Sequence, residues 1–293
     1  MRFGRQNNPA YNRSMHTTQA IPTVETTTPA RPARRRLGDF VLTVALIVIG
    51  AWLVVMPGGI LGHADLIGYA ICHRITDRSF IIGGQQLPLC ARCSGTYLGA
   101  LAGFGVMFLL GRRRAANLPP VSVLVVLVLF VAAMGFDGVN SYLTLLPILP
   151  HLYEPHNWLR LTTGTLEGIA LAAVVLPVFN QTMWADATGE RSLRNLRDLG
   201  LIVLAGVAVI GIVLAEPPVL LYPLAILSAG SVVWMLTLIN SLLATIAARR
   251  ENLAVTWRDA APMLLIGLAA TLAELSTIDF ARAYATAALG LPY

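Results

Sequence analysis

The residues best suited to chemistry in this chain are three cysteines that lie close together in the sequence. Cys72, Cys90 and Cys93 fall within 22 residues of a 293-residue chain, and His73 follows the first of them directly. Three thiols and one imidazole form the ligand set of a closed, tetrahedral zinc site. The sixteen residues between His73 and Cys90 form a loop long enough to fold back on itself. The pattern therefore predicts one zinc or similar transition-metal ion held by Cys72, His73, Cys90 and Cys93.

The same cysteines allow two other interpretations, which the sequence leaves open. Cys90-Ala91-Arg92-Cys93 stands directly before an apolar run, so the CxxC pair would lie at a helix N-terminus, where the helix dipole favours thiolate. Such a pair is typical of a membrane thiol–disulfide oxidoreductase, with Cys72 as a third, exchanging thiol. Alternatively, two of the cysteines form a plain structural disulfide in an oxidising compartment.

Polar residues in and beside the apolar runs predict a pocket near the cysteines. Asp137 and Asn140 are one helical turn apart, and Glu167 lies about 10 Å below Arg160 on the same helix face. Ionisable groups inside a span need a partner or a water-filled cavity. The expected members of the pocket are Arg74, Arg78, Arg92, Asp137, Asn140, Arg160 and Glu167. They suggest a further alternative, a small-solute transporter that binds its solute in spans two to four.

The composition predicts an all-α, polytopic helical membrane protein. Hydrophobic residues make up 56% of the chain, charged residues only 12%, and the mean hydropathy is +0.68. A soluble domain would carry about 25% charged residues. About 20 apolar residues are needed to cross the hydrocarbon core. Seven runs approach that length, at residues 37–56, 94–110, 121–140, 161–179, 199–215, 219–247 and 261–285.

The distribution of arginine predicts the orientation. All 21 basic residues are arginine. With the N-terminus in the cytoplasm, sixteen of them fall in the tail and the cytoplasmic loops, and five fall on the other side, as the positive-inside rule expects. Residues 1–36 then form a disordered basic cytoplasmic tail, residues 37–293 the transmembrane domain, and residues 57–93 an extracytoplasmic Cys/His loop. His151 and His156 are expected on the same outer side.

This distribution also limits the partners and the location. The basic clusters are explained by membrane topology, so the sequence indicates lipid contact and no nucleic acid, and it contains no sign of a nucleotide cofactor. The expected location is the cytoplasmic membrane of a prokaryote, crossed several times. Catalytic residues, substrate and oligomeric state are not predicted.

Several short motifs resemble the prokaryotic membrane-protein family known as domain of unknown function 2085. The resemblance covers about residues 67–171, with Thr76 at a position where the family often has proline. It singles out these residues and implies no activity. The motifs are Cys72-His73-Arg74, Asp77-Arg78-Ser79-Phe80, Gly84-Gln85-Gln86-Leu87-Pro88, Cys90-Ala91-Arg92-Cys93, Gly95-Thr96-Tyr97-Leu98-Gly99, Gly135-Phe136-Asp137-Gly138-Val139-Asn140 and Arg160-Leu161-Thr162-Thr163-Gly164.

Overall fold

The structure is a computed structural model that describes residues 32–55, 58–144, 150 and 152–289, with side chains from residue 39 onward. Helices dominate these residues, and the prediction of an all-α membrane protein is confirmed. Residues 1–31, which include most of the predicted tail, lie outside the described residues, as does His151. The helices are α1 (Pro32–Val55), α2 (Gly59–Ile71), α3 (Ala91–Leu109), α4 (Val121–Leu143), α5 (Asn157–Met183), α6 (Leu196–Leu214), α7 (Leu221–Ala247) and α8 (Trp257–Leu289).

Each of the seven predicted spans falls on a helix. Among the described residues, the five helices α4 to α8 are long and apolar enough to cross a membrane, with α7 taken from Pro218 onward. The number of spans is six if α1 and α2 together form one. Helix α3 is not among them, because its first turns contain Arg92, Ser94, Gly95 and Thr96. Helix α2 was not predicted. Its 13 residues are too short to cross the membrane, and the sequence analysis assigned them to a loop.

Helices α3 and α5 form the centre of the bundle and run parallel to each other. Contacts advance together along both helices, from Gly95 against Leu161 to Gly103 against Ala172. A Cβ atom added at Gly99 would lie 2.4 Å from the Thr165 carbonyl oxygen. Small residues on both faces let the two backbones touch, as expected for helices that pack within a membrane.

Glycines of α5 also contact the backbone of α3. A Cβ atom at Gly164 would lie 2.2 Å from the Arg92 carbonyl oxygen, and one at Gly168 would lie 1.9 Å from the Thr96 carbonyl oxygen. Both glycines of α5 therefore face the backbone of α3. The N-termini of α3 and α5 consequently lie at the same end of the bundle, which we call the cysteine end.

The other helices surround this pair. Helix α4 packs on α5, α6 packs on both α3 and α5, and α7 packs on α8 and α2. Large apolar side chains of α4, such as Val121, Val125 and Leu129, are exposed on its outer face. Such a surface is stable only against lipid.

Two small sheets complete the fold, one at each end of the bundle. At the cysteine end, β1 (Ile81–Ile82) and β2 (Gln85–Gln86) pair antiparallel. At the opposite end, β3 (Ala115–Asn117) pairs parallel with β4 (Thr188–Arg191), and Asn180 of α5 donates to the Ala115 carbonyl over 2.9 Å. The second sheet connects the α3–α4 and α5–α6 loops.

Candidate metal centre and arginine cluster

A tight β-hairpin returns the chain from the end of α2 to the start of α3. Gly83 and Gly84 connect β1 to β2, and both have positive φ (58° and 81°), a conformation that suits glycine in a two-residue hairpin turn. Gln86 of β2 donates to the Arg74 carbonyl and to Ser79 Oγ, both over 3.0 Å. The sequence analysis expected the loop to fold back, and these contacts hold it in that position.

Close packing of α2 then places Cys72 beside Cys90. A Cβ atom at Gly68 would lie 1.9 Å from the Pro88 carbonyl oxygen, so α2 rests directly on the backbone that leads into α3. Arg282 of α8 donates to the carbonyls of Tyr69 and Cys72 and lies over the Tyr69 ring. The last turn of α2 is therefore fixed from two sides.

The three cysteines converge at this point. The Sγ atoms of Cys72, Cys90 and Cys93 all lie within 4.8 Å of one another, and all three cysteines are free. Three thiolates around one tetrahedral zinc ion, with zinc–sulfur bonds of about 2.3 Å, would stand about 3.8 Å apart. The upper limit of 4.8 Å on the sulfur–sulfur distances accommodates this spacing.

Backbone donors point at one of these sulfurs. The Cys72 Sγ accepts from the Cys90 N–H over 3.3 Å and from the Arg74 N–H over 3.4 Å. Arg74 reaches this position with φ of 50°, a left-handed conformation that is uncommon outside glycine. Donors to sulfur stabilise the charged form of the thiol and orient it as a ligand.

The same arrangement shifts the pKa values of Cys72 and Cys90 in opposite directions. Hydrogen bonds from the side chains of Cys90 and Cys93 lower the pKa of Cys72 far below its ordinary value, and they outweigh the effect of burial. The hydrogen bond with Cys72 raises the pKa of Cys90. Cys72 is thus the first of these two groups to become a thiolate.

His73 does not join the cluster. Cys72 ends α2 with extended backbone (φ −129°, ψ 144°), and successive side chains of extended chain point in opposite directions. Cys72 is buried and His73 is exposed, and the group of candidate ligands that the described residues bring together contains the three cysteines without it. The expected Cys₃His set is therefore present as three cysteines, and the structure does not place its fourth member.

A second cluster, centred on Asp137, lies where α3, α4 and α5 meet at the cysteine end. Asp137 is 1% exposed and forms an ion pair with Arg92 of α3. Its other oxygen accepts from the Tyr153 hydroxyl over 2.8 Å. Burial, followed by this hydrogen bond, raises the pKa of Tyr153 to about 12, so the phenol stays protonated and remains a donor. Thr163 of α5 also contacts Asp137, over 3.4 Å.

Two further arginines lie beside this carboxylate. Arg78 donates to the Ser141 carbonyl over 3.0 Å, and Arg92 donates to the hydroxyl of the same serine over 3.1 Å. Arg160 is 6% exposed and lies within electrostatic range of Arg78, Arg92 and Asp137. We call Arg78, Arg92 and Arg160 the arginine cluster. Three guanidinium groups thus lie near a single aspartate, which forms an ion pair with one of them.

The remaining members of the predicted pocket lie at its edges or have other partners. Asn140 accepts from the Leu152 N–H and donates to the Tyr153 carbonyl, both over 2.8 Å, and so holds the loop that covers Asp137. Glu167 accepts from Thr96 of α3 over 2.9 Å, deeper along the α3–α5 contact. Arg74 instead pairs with Asp65 of α2 over 2.8 Å.

Sequence reasoning did not identify several polar residues that complete the cluster. Ser141 follows Asp137 by one helical turn, so helical spacing could have found it. Tyr153 lies in the loop between α4 and α5, and Asn157 lies in the first turn of α5. No helical spacing from Asp137 therefore marks either residue. The exposed His156, which was expected on the outer side, is the N-cap of α5 and does not belong to the group of cysteines.

The comparisons with known proteins coincide with this part of the chain. A family model described as a predicted membrane protein, DUF2085, matches residues 72–174. An uncharacterised protein of Methanothermobacter thermautotrophicus is 35% identical over 104 residues, which cover 36% of this chain and 83% of that protein.

A second uncharacterised protein, from Methanocaldococcus jannaschii, is 30% identical over 114 residues, which cover 39% of this chain and 67% of that protein. The chain belongs to the DUF2085 family. The matched region begins at Cys72 and runs through α3 and α4 into α5, so it includes both the cysteines and the arginine cluster. No solved structure matches the chain.

Proposed function

We propose that Cys72, Cys90 and Cys93 bind one zinc-like transition-metal ion at the extracytoplasmic face of a prokaryotic cytoplasmic membrane. The observation that carries the proposal is the convergence of three free thiols within 4.8 Å. Thiolates are the ligands that zinc and other soft metals prefer. The backbone donors to Cys72 support the same conclusion, since donors around a ligand are typical of metal sites.

Three protein ligands leave one coordination position for another group. Structural zinc sites are usually closed by four protein ligands, whereas catalytic sites keep an open position for water or substrate. With His73 directed away from the cluster, the open arrangement is the one that this geometry supports.

Metal analysis of the protein purified in mild detergent without chelator tests the proposal. About one metal ion per chain is expected for the wild type, with loss of most of it in Cys90→Ser. His156→Ala is a matched control, because His156 lies at the same end of the bundle outside the cysteine group. Cobalt substitution adds a spectroscopic check, since thiolate ligands give intense charge-transfer bands.

His73→Ala decides the fourth ligand. Full metal content in this variant supports three cysteines with an open position, whereas loss of the metal restores the Cys₃His set. A wild-type protein that takes up neither native metal nor cobalt while its thiols are reduced would refute the metal site altogether.

The redox interpretation is a second candidate, and one observation favours it. Cys90 is the N-cap of α3 and Cys93 lies in its first turn, and a CxxC pair at a helix N-terminus is the arrangement typical of thiol–disulfide oxidoreductases. A thiol–disulfide oxidoreductase would exchange these sulfurs through mixed disulfides. Trapping thiols in intact cells and counting them by alkylation separates the two functions: a metal site keeps three reduced cysteines, and an oxidoreductase shows a disulfide that responds to added reductant.

A further inference from the structure

The arginine cluster carries more positive charge than the ion pairs of the described residues neutralise. Asp137 pairs with Arg92, and the described ion pairs include no carboxylate partner for Arg78 or Arg160. Exposed acids at this end, such as Asp77, are hydrated and screened. Burying a guanidinium group without an opposite charge is unfavourable by several kcal/mol.

Arg160 shows this imbalance most directly. The residue is 94% buried, and its terminal NH1 group donates to Asn157 Oδ1 over 2.8 Å. Its Nε atom is buried and has no hydrogen-bond partner among the described residues, and the same is true of Arg92 Nε. Asn157 in turn donates to the carbonyls of Asp77 and Ser79, so it is held in place and fixes the Arg160 fork.

The backbone adds to the positive field. Arg92 lies in the first turn of α3 and Arg160 in the first turn of α5, and the two N-termini lie side by side because the helices are parallel. Helix N-termini carry about half a positive charge each and favour anions. The hydroxyls of Ser141 and Thr163 supply further polar contacts beside the guanidinium groups.

We infer that Arg78, Arg92 and Arg160 form an anion site that takes a phosphate-type oxyanion from the cysteine end of the bundle. Guanidinium forks match the oxygen geometry of phosphate, and arginine clusters are a recurrent means of binding it. Several guanidinium groups in one cluster suit a group with at least three oxygens better than a lone carboxylate. The phosphate comes either from a soluble compound or from a lipid headgroup, and both sources present the same oxygens. The site uses residues other than the cysteines, so it does not depend on a metal there.

Phosphate titration by calorimetry, on protein in a neutral detergent, tests the soluble source. We expect saturable binding of inorganic phosphate that weakens about 10-fold or more in Arg160→Gln, since hydrogen bonds to charged groups are worth this much. Arg160→Lys keeps the charge and loses the fork, so we expect an intermediate affinity. Arg194→Gln removes the same charge from an exposed arginine outside the cluster, and its affinity should equal that of the wild type.

Native mass spectrometry tests the lipid source. Protein from nanodiscs that mix phosphatidylglycerol with phosphatidylcholine should retain phosphatidylglycerol, and Arg160→Gln should retain less of it than Arg194→Gln. Binding of inorganic phosphate in the calorimeter would identify a soluble compound as the ligand. Retention of phosphatidylglycerol without phosphate binding would identify a lipid headgroup. If Arg160→Gln fails to fold, Arg78→Gln replaces it, because Arg78 is only partly buried and bonds neutral groups.

Two results would overturn the inference or separate it from the metal proposal. If neither probe distinguishes the arginine variants from Arg194→Gln, the cluster is not an anion site. Cys90→Ser should bind phosphate as the wild type does, so loss of metal in that variant with retained phosphate binding shows that the two sites are independent.

Discussion

Replacing Gly99 with alanine tests the helix contact that brings the cysteines and the arginine cluster together. The new Cβ atom would stand 2.4 Å from the Thr165 carbonyl oxygen and 2.8 Å from the Thr165 Cα atom. Carbon and oxygen approach to about 3.3 Å in favourable contacts, so α3 and α5 must separate by about 1 Å. Overpacking typically costs about 1–3 kcal/mol, and we expect the upper end because backbone atoms cannot rotate away.

Gly105→Ala is the matched control in the same helix. Gly105 is exposed, and an added Cβ atom would meet nothing within 4 Å. Alanine favours a helix over glycine by about 1 kcal/mol at either position. The difference between the two variants therefore isolates the steric effect, which we expect to reach about 3 kcal/mol.

Reversible unfolding in mixed micelles, followed by circular dichroism, gives the two free energies of unfolding. Gly99→Ala should unfold at a lower fraction of denaturing detergent than the wild type, and Gly105→Ala at an equal or higher fraction. Equal stability of the two variants would mean that the α3 and α5 backbones are not in contact at Gly99.

Three other predictions concern the topology and single residues. An N-terminal reporter should lie in the cytoplasm and a C-terminal one outside; reporters on the same side would mean that one of the seven spans is wrong. Glu167→Leu should reduce the free energy of unfolding by about 1 kcal/mol or more, because the hydrogen bond from Thr96 to the carboxylate is lost, and by more than Glu154→Leu, whose side chain is exposed. The Arg112 hydrogen bond lowers the pKa of Glu190 from 4.5, so this pair stabilises the fold above that pH and its contribution is lost as the pH falls. Glu190→Gln should therefore make unfolding less sensitive to acid below pH 4.5, and an unchanged acid dependence would show that the pair contributes nothing.

The helices could be predicted because lipid imposes a length and a composition on each span. All seven apolar runs correspond to helices. Glycines recur every four residues in α3 (Gly95, Gly99 and Gly103) and in α5 (Gly164 and Gly168), and at these positions the two helices approach each other closely. At the same end of the bundle, Arg92 of α3 reaches Asp137 of α4.

Local backbone geometry explains what the sequence did not reveal. Motif spacing places Cys72 and His73 in one site, but the extended backbone at Cys72 sends their side chains in opposite directions. Pairing of Arg74 with Asp65 could not be foreseen because α2 itself was not predicted. Tyr153 reaches Asp137 through an irregular segment, and no periodicity marks such a contact.

The parallel contact between α3 and α5 also bears on how the protein is made. Helix α3 is less apolar than helices α4 to α8, and α5 covers its polar first turns. The first residue of α5, Asn157, is synthesised about fifty residues after α3 ends at Leu109. We therefore expect α3 to remain at the translocon, or in a shallow position in the membrane, until α5 has been synthesised and inserted. The central pair of the bundle is then completed late, and the arginine cluster, which includes Arg160 of α5, forms only when that step is finished.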